Sequence, residues 1–287
     1  MIVDSHQHFW DLDRFDYPWM TDDVEPIRRN FGPRDLEPLL AERGVDRTVI
    51  VQAIASVDET RYLLEIAAQT DFVSGVVGWA DLTDPGVGAV VADLRSGEGG
   101  HYLVGIRHQV HDEADPAWLL RDEVQRGLRE LARAELSYDL LVRPRELPAA
   151  LRTARAQPGL RLVVDHIAKP PIEDGDVEEW ARAMAPFAEL DNVYCKLSGM
   201  VTEADWDAWK PQDLIPYVQR VFGWFGEDRL MFGSDWPVCL LAASYGEVLD
   251  ALDSALGGLA GHARAKIYGG NAVVFYALGD AHPGAVT

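Results

Sequence analysis

Met1-Ile2-Val3-Asp4-Ser5-His6-Gln7-His8 decides how the rest of this chain is read. The run is hydrophobic at its start and polar at its end, as a buried strand is when its tip reaches solvent. In a strand, residues two apart share a face, so His6 and His8 are aimed the same way. Two imidazoles on one face are half of a metal site. Four further stretches close hydrophobic runs in the same manner: Arg107-His108, Asp165-His166, Cys195-Lys196-Leu197-Ser198 and Gly233-Ser234-Asp235-Trp236. Ionisable residues at the ends of successive strands are how a (β/α)8 barrel builds a site on its C-terminal face.

Working outward, eight strand-like runs occur in order: Met1 to His8, Arg47 to Ala53, Phe72 to Asp81, Leu103 to His108, Leu136 to Val142, Arg161 to His166, Asn192 to Ser198 and Leu230 to Ser234. Most are continuous in Val, Ile and Leu, the pattern of parallel strands buried on both faces. Helical spacing separates them, at Leu36 to Arg43, Asp58 to Thr70, Gly86 to Leu94, Leu119 to Ala134, Leu147 to Ala156, Glu178 to Leu190 and Pro211 to Phe225. Gly44, Gly159 and Gly226 stand where helices would stop. Repeated strand–helix alternation predicts an α/β fold, a single-domain (β/α)8 TIM-type barrel over residues 1–278 with a tail at 279–287. Two long connections, Phe9 to Pro33 and Val201 to Trp209, leave from the face that carries the site. Either is a lid or a hydrophobic cover for the barrel mouth.

A formal charge of −21 over 287 residues would repel phosphate backbones and anionic membranes, so neither nucleic acid nor membrane is an expected partner. Cys195 and Cys239 form no disulfide framework, and no apolar run spans a bilayer, which together predict a cytoplasmic setting with buried free thiols. Phosphate-binding glycine loops and a Gly-x-Ser-x-Gly elbow are both missing from the sequence.

The chemistry therefore rests on the strand ends. His6, His8, His166 and Asp235 form a set that can hold one divalent ion and leave a position for water. A carboxylate at Asp235 can take a proton from that water and return it to a leaving group, although Asp235-Trp236-Pro237 also reads as a helix start. Arg107 and His108 are adjacent, so only one of them enters the mouth. Either could contact substrate, with Arg107 packed behind the barrel as its alternative. His111 is expected at the surface. Asp165 should face away from His166, as a supporting acid or ion-pair partner. Lys169 could meet a substrate oxygen or be a surface lysine. Lys196 and Ser198 share a face; if it is the lumen, Lys196 lies deeper and Ser198 reaches the site. Trp10, Trp19, Trp79, Trp206 and Trp236 could stack on a sugar ring or pack the mouth.

These motifs, with Asp4 to Trp10, Tyr17-Pro18-Trp19, Gly105 to His108, Lys196-Leu197-Ser198-Gly199, Phe232 to Pro237 and Tyr268 to Ala272 followed by Phe275-Tyr276, resemble the amidohydrolase superfamily of the amidohydrolase-2 type. Within it they are most similar to the sugar-lactone hydrolases of the L-fuconolactonase and L-rhamnonolactonase kind. The resemblance implies a distorted (β/α)8 barrel that hydrolyses an aldonolactone such as L-fucono-, L-rhamnono- or L-galactonolactone. Asp235 would activate water, with His6, His8 and His166 in the site and Arg107, His108, Lys169, Trp10, Ser198 and Trp236 around the substrate. It implies one divalent metal, zinc or manganese, or a metal-independent site. The fifth strand offers only Asp139, which argues against two bridged ions. Ala168 departs from the glycine that usually precedes Lys-Pro in that group. Two alternatives stand beside this reading: a mononuclear metal decarboxylase acting on an aromatic or unsaturated acid, and a sugar-acid binding barrel without catalysis. The sequence leaves the oligomeric state unknown.

Overall fold

The computed structural model describes residues 1–279. The tail predicted at 279–287 therefore lies outside the described residues from 280 onward. The strands are β1 (Val3–Gln7), β2 (Arg47–Val51), β3 (Val73–Gly78), β4 (Leu103–Gln109), β5 (Ser137–Leu141), β6 (Leu162–Val164), β7 (Val193–Leu197) and β8 (Leu230–Phe232). They pair in parallel in chain order, which makes the sheet a (β/α)8 barrel. The helices are α1 (Pro33–Arg43), α2 (Val57–Ala68), α3 (Val87–Ser96), α4 (Asp122–Arg133), α5 (Leu147–Ala156), α6 (Glu178–Met184), α7 (Pro211–Phe225), α8 (Tyr245–Leu256), α9 (Gly261–Ala265) and α10 (Asn271–Tyr276).

The barrel is distorted at one seam. Instead of a ladder, β1 and β8 are joined beyond their ends by His8 N–H donating to Trp236 O and Asp235 N–H donating to His6 O. Lower down, side chains take over: Ser5 Oγ donates to Phe232 O at 2.6 Å, and Asp4 Oδ1 accepts from Ser234 N at 2.9 Å. With only three residues in β8, the side chains of β1 replace the missing backbone partners. Burial pushes the Asp4 carboxyl up to about 6, against the hydrogen bonds from Ser234, His6 N–H and Tyr245 that favour its charged form.

Two apolar layers result. The large one lies between the barrel and its helices. A smaller one fills the lower lumen with Val3, Val49, Val51, Val77, Val163 and Met231, closed from beneath by Ala272, Phe275 and Tyr276 of α10. Val3 and His6 both face inward although they are three apart, because the β1–β2 register shifts between Asp4 and Gln7.

Several predicted boundaries move for identifiable reasons. The helix expected from Leu119 starts at Asp122, since Trp118–Leu120 is a tighter 3₁₀ turn. The helix expected over Glu178 to Leu190 breaks after Met184, where Pro186 turns the remainder into a 3₁₀ segment. Gly159 ends no helix, because α5 stops at Ala156 and is capped by Gln157. Helices α8 to α10 were absent from the sequence reading. Among the described residues, no helix is long and apolar enough to cross a membrane.

Candidate active site

A cavity of about 290 Å³ opens at the C-terminal mouth, with His8, His166 and Asp235 among its walls. Three imidazoles converge on one carboxylate oxygen. Asp235 Oδ1 lies 3.3 Å from His8 Nε2, 3.7 Å from His6 Nε2 and 3.9 Å from His166 Nε2. All four side chains are buried.

Each ring is aimed from behind. His8 Nδ1 lies 2.7 Å from Val51 O, and a carbonyl can only accept, so the proton sits on Nδ1. His8 Nε2 therefore turns its lone pair on Asp235 Oδ1. His166 Nδ1 meets Ser198 Oγ at 2.9 Å. His6 Nδ1 lies 3.1 Å from Lys196 Nζ and 3.4 Å from Asp165 Oδ1, and its Nε2 lies 3.2 Å from Arg107 Nη1; a neutral imidazole accepts at one nitrogen only, so one of the two cations at most donates to it. Close backbone approach makes this packing possible. A Cβ at Gly199, whose φ is +59°, would collide with His166 Nδ1, and one at Gly233 would lie 2.7 Å from His6 Cβ.

His166 enters the site by an unusual route. Its φ is +53°, and the left-handed path continues through Ile167, Ala168 and Lys169 at +48°, +63° and +48°. These are costly conformations for residues with a Cβ, and β-branched Ile167 is the most costly. A glycine would suit position 168 for this reason. The turn also corrects the expectation that Asp165 faces away from His166. Asp165 points into the lumen from β6, and His166 swings round to the same side.

Burial holds all three imidazoles below their ordinary range, reinforced at His6 by the Lys196 charge and resisted there by Asp165. Burial alone would push Asp235 up. The contacts with His166 and His8 and the Lys169 charge outweigh it and hold the carboxyl below the usual carboxylate range.

The donor set fits a divalent ion. Donor atoms of His6, His8 and Asp235 lie within 4.8 Å of one another, and the facing lone pairs of His8 Nε2 and Asp235 Oδ1 need a cation or a proton between them. A second group, His6, Asp165 and His166, meets the same spacing. Its carboxylate is already paired with Lys196 Nζ at 3.0 Å and Arg107 Nη1 at 3.2 Å, so protein cations occupy that side.

The remaining sequence-selected residues divide. Trp10 and Arg107 line the cavity, as does Lys169, whose Nζ is paired with Glu203 Oε1 at 2.5 Å. Ser198 lies behind His166 rather than in the wall. His108 turns away from the cavity: it accepts from Trp79 Nε1 at 3.0 Å, meets Glu113 at 2.8 Å and stacks on Trp118. Trp236 packs edge-on against Phe9 and Phe31, below the mouth. His111, expected at the surface, instead lines the cavity, because the 3₁₀ turn Val110–Asp112 folds it inward. Sequence reading also missed Gln52, whose backbone and side-chain oxygens accept from Arg107, and Gln109, Asp112 and Arg143 in the wall. Gln52, Gln109 and Arg143 directly follow or end apolar strands, the same signal that singled out His8 and Asp235.

A parallel barrel whose β1 carries His-x-His and whose β6 and β8 tips add His and Asp defines a hydrolase-type barrel with a metal-capable mouth. The chain belongs to the amidohydrolase family, which it matches over residues 3–278. It is 43% identical to an L-fucono-1,5-lactonase of Burkholderia ambifaria, over 98% of each chain. A second L-fucono-1,5-lactonase, from Burkholderia multivorans, is 39% identical over 96% of each. An amidohydrolase structure from Burkholderia multivorans with bound zinc superposes with a TM-score of 0.91 at 38% identity, covering 97% of this chain and 100% of that one.

Proposed function

We propose that this protein hydrolyses the intramolecular ester of a sugar-derived lactone to the open-chain acid, with Asp235 as the base. The observation that carries this is the convergence of His6, His8 and His166 on Asp235 Oδ1 at the cavity wall. The full-length similarity to two L-fucono-1,5-lactonases supports the substrate class, with L-fucono-, L-rhamnono- and L-galactonolactone as the first compounds to try.

Asp235 is held ionised and takes a proton from water as the oxygen attacks the lactone carbonyl. Arg107, a buried guanidinium in the cavity wall, faces the negative charge that develops on the carbonyl oxygen. When the carbon–oxygen bond of the ring breaks, Asp235 returns the proton to the departing ring oxygen. Zinc or manganese held by His6, His8, His166 and Asp235 would supply Lewis-acid polarisation of the carbonyl. Trp10 and Trp19, with ring centroids 5.4 Å apart, form an aromatic wall suited to the C–H face of a sugar. The acidic surface leaves a small neutral lactone as the partner rather than nucleic acid or membrane, and two buried free thiols suit the cytoplasm.

Acid release from a panel of aldonolactones, measured with and without prior chelation, tests the reading. Asp235→Asn should lose about a thousandfold in kcat and still bind lactone. Silence on every lactone, or carbon dioxide release from aromatic acids, overturns it.

A further inference from the structure

Lys196 is a fully buried lysine in the barrel lumen, and each of its contacts is to a group with its own role. Its Nζ lies 2.6 Å from Asp139 Oδ2, 3.0 Å from Asp165 Oδ1 and 3.1 Å from His6 Nδ1. Two carboxylates and a ring nitrogen thus surround the ammonium. Asp139 also accepts from Tyr276 of α10 at 2.6 Å, and Asp165 is shared with Arg107 at 3.2 Å. Two carboxylates and two cations thus make a charge-balanced column from the barrel floor to the site.

Charge balance alone does not require this arrangement. A buried pair such as Lys196 and Asp139 can usually be exchanged for neutral groups of similar shape without loss of stability. The third contact is what distinguishes Lys196. On the Nδ1 side of His6 stand Lys196 Nζ at 3.1 Å and the Asp165 Oδ1 that Lys196 pairs with, at 3.4 Å, with Arg107 Nη1 3.2 Å from Nε2, and no backbone carbonyl fixes the ring as Val51 O fixes His8. The geometry points to Lys196 as a positioning residue, an internal cation that holds His6 turned toward Asp235. In kinetic terms this inference rests on the lactonase reading above.

The test separates neutralisation from positioning. Lys196→Met alone leaves two carboxylates to one guanidinium and should lower the melting temperature by about 10 °C. Lys196→Met with Asp139→Asn removes one charge of each sign and should recover most of that loss. With His6 freed, kcat of the double variant should remain about a hundredfold down and KM within about threefold of the parent, the effect of an ångström-scale misplacement. A crystal structure of the double variant should show His6 Nε2 moved by about 1 Å or more from its place beside Asp235. Recovery of kcat together with stability, or an unmoved His6 ring, overturns the inference. If the parent opens no sugar lactone, the proposed function falls, while the crystal comparison still decides the role of Lys196.

Discussion

Glu59 allows a prediction whose size follows from the structure. It lies in the first turn of α2, fully buried, and Oε2 accepts from Ala53 N at 3.0 Å and Ile54 N at 3.1 Å. It thereby holds the loop after β2, which brings Ala53 to the cavity wall. Burial raises its carboxyl from 4.5 to about 7, against the two backbone hydrogen bonds. The folded state therefore keeps a proton that the unfolded chain has lost. Stability from this group is complete below the unfolded value of 4.5 and is lost as pH rises through about 7. The full difference corresponds to about 3 kcal/mol, of which about 2 kcal/mol falls between about pH 5.5 and pH 8.5. Glu59→Gln keeps an acceptor for both amides and cannot ionise. Urea unfolding of both proteins at those two pH values should show the variant gaining about 2 kcal/mol on the parent at the higher pH. A difference that stays constant with pH, or that favours the parent at high pH, refutes the argument.

Gly199→Ala should push His166 from its place and add strain at a positive φ, lowering kcat by about a hundredfold and stability by about 1–2 kcal/mol, read by steady-state kinetics and thermal melts. His108→Ala, whose ring faces Trp79, Glu113 and Trp118 rather than the cavity, should cost about 1–2 kcal/mol of stability and leave KM within about threefold; a large KM increase would return His108 to the substrate. Because His166, His8 and Lys169 outweigh burial at Asp235, kcat should stay level from about pH 8 to about pH 5 and fall only in more acid solution, as the carboxylate gains its proton below the usual carboxylate range. An acid limb near neutrality would show a different group to be the base.

What could be read from the chain, and what could not, follows from the range of the interactions involved. Parallel strands buried on both faces are mostly continuous apolar runs, so all eight were visible, and so were the polar residues at several of their ends, though not Gln52, Gln109 or Arg143. His6 and His8 were paired by local geometry alone. The closure between β1 and β8 was hidden, because Asp4 and Ser5 look like ordinary strand residues until a three-residue β8 leaves them backbone groups to satisfy. His166 stood out as a strand-end residue, but its relation to Asp165 did not, since a run of left-handed residues without glycine has no propensity signature. The two hidden features act on the same residue. The seam fixes Asp235 through its N–H to His6 O, and the left-handed turn brings His166 Nε2 to 3.9 Å from its Oδ1. Without the turn Asp235 would lack one of its three imidazoles, and without the seam its backbone would lose its tie to His6. The departures from an ideal barrel are therefore placed where they assemble the site, and the strain at 166–169 is offset by packing that a regular strand end would not have obtained.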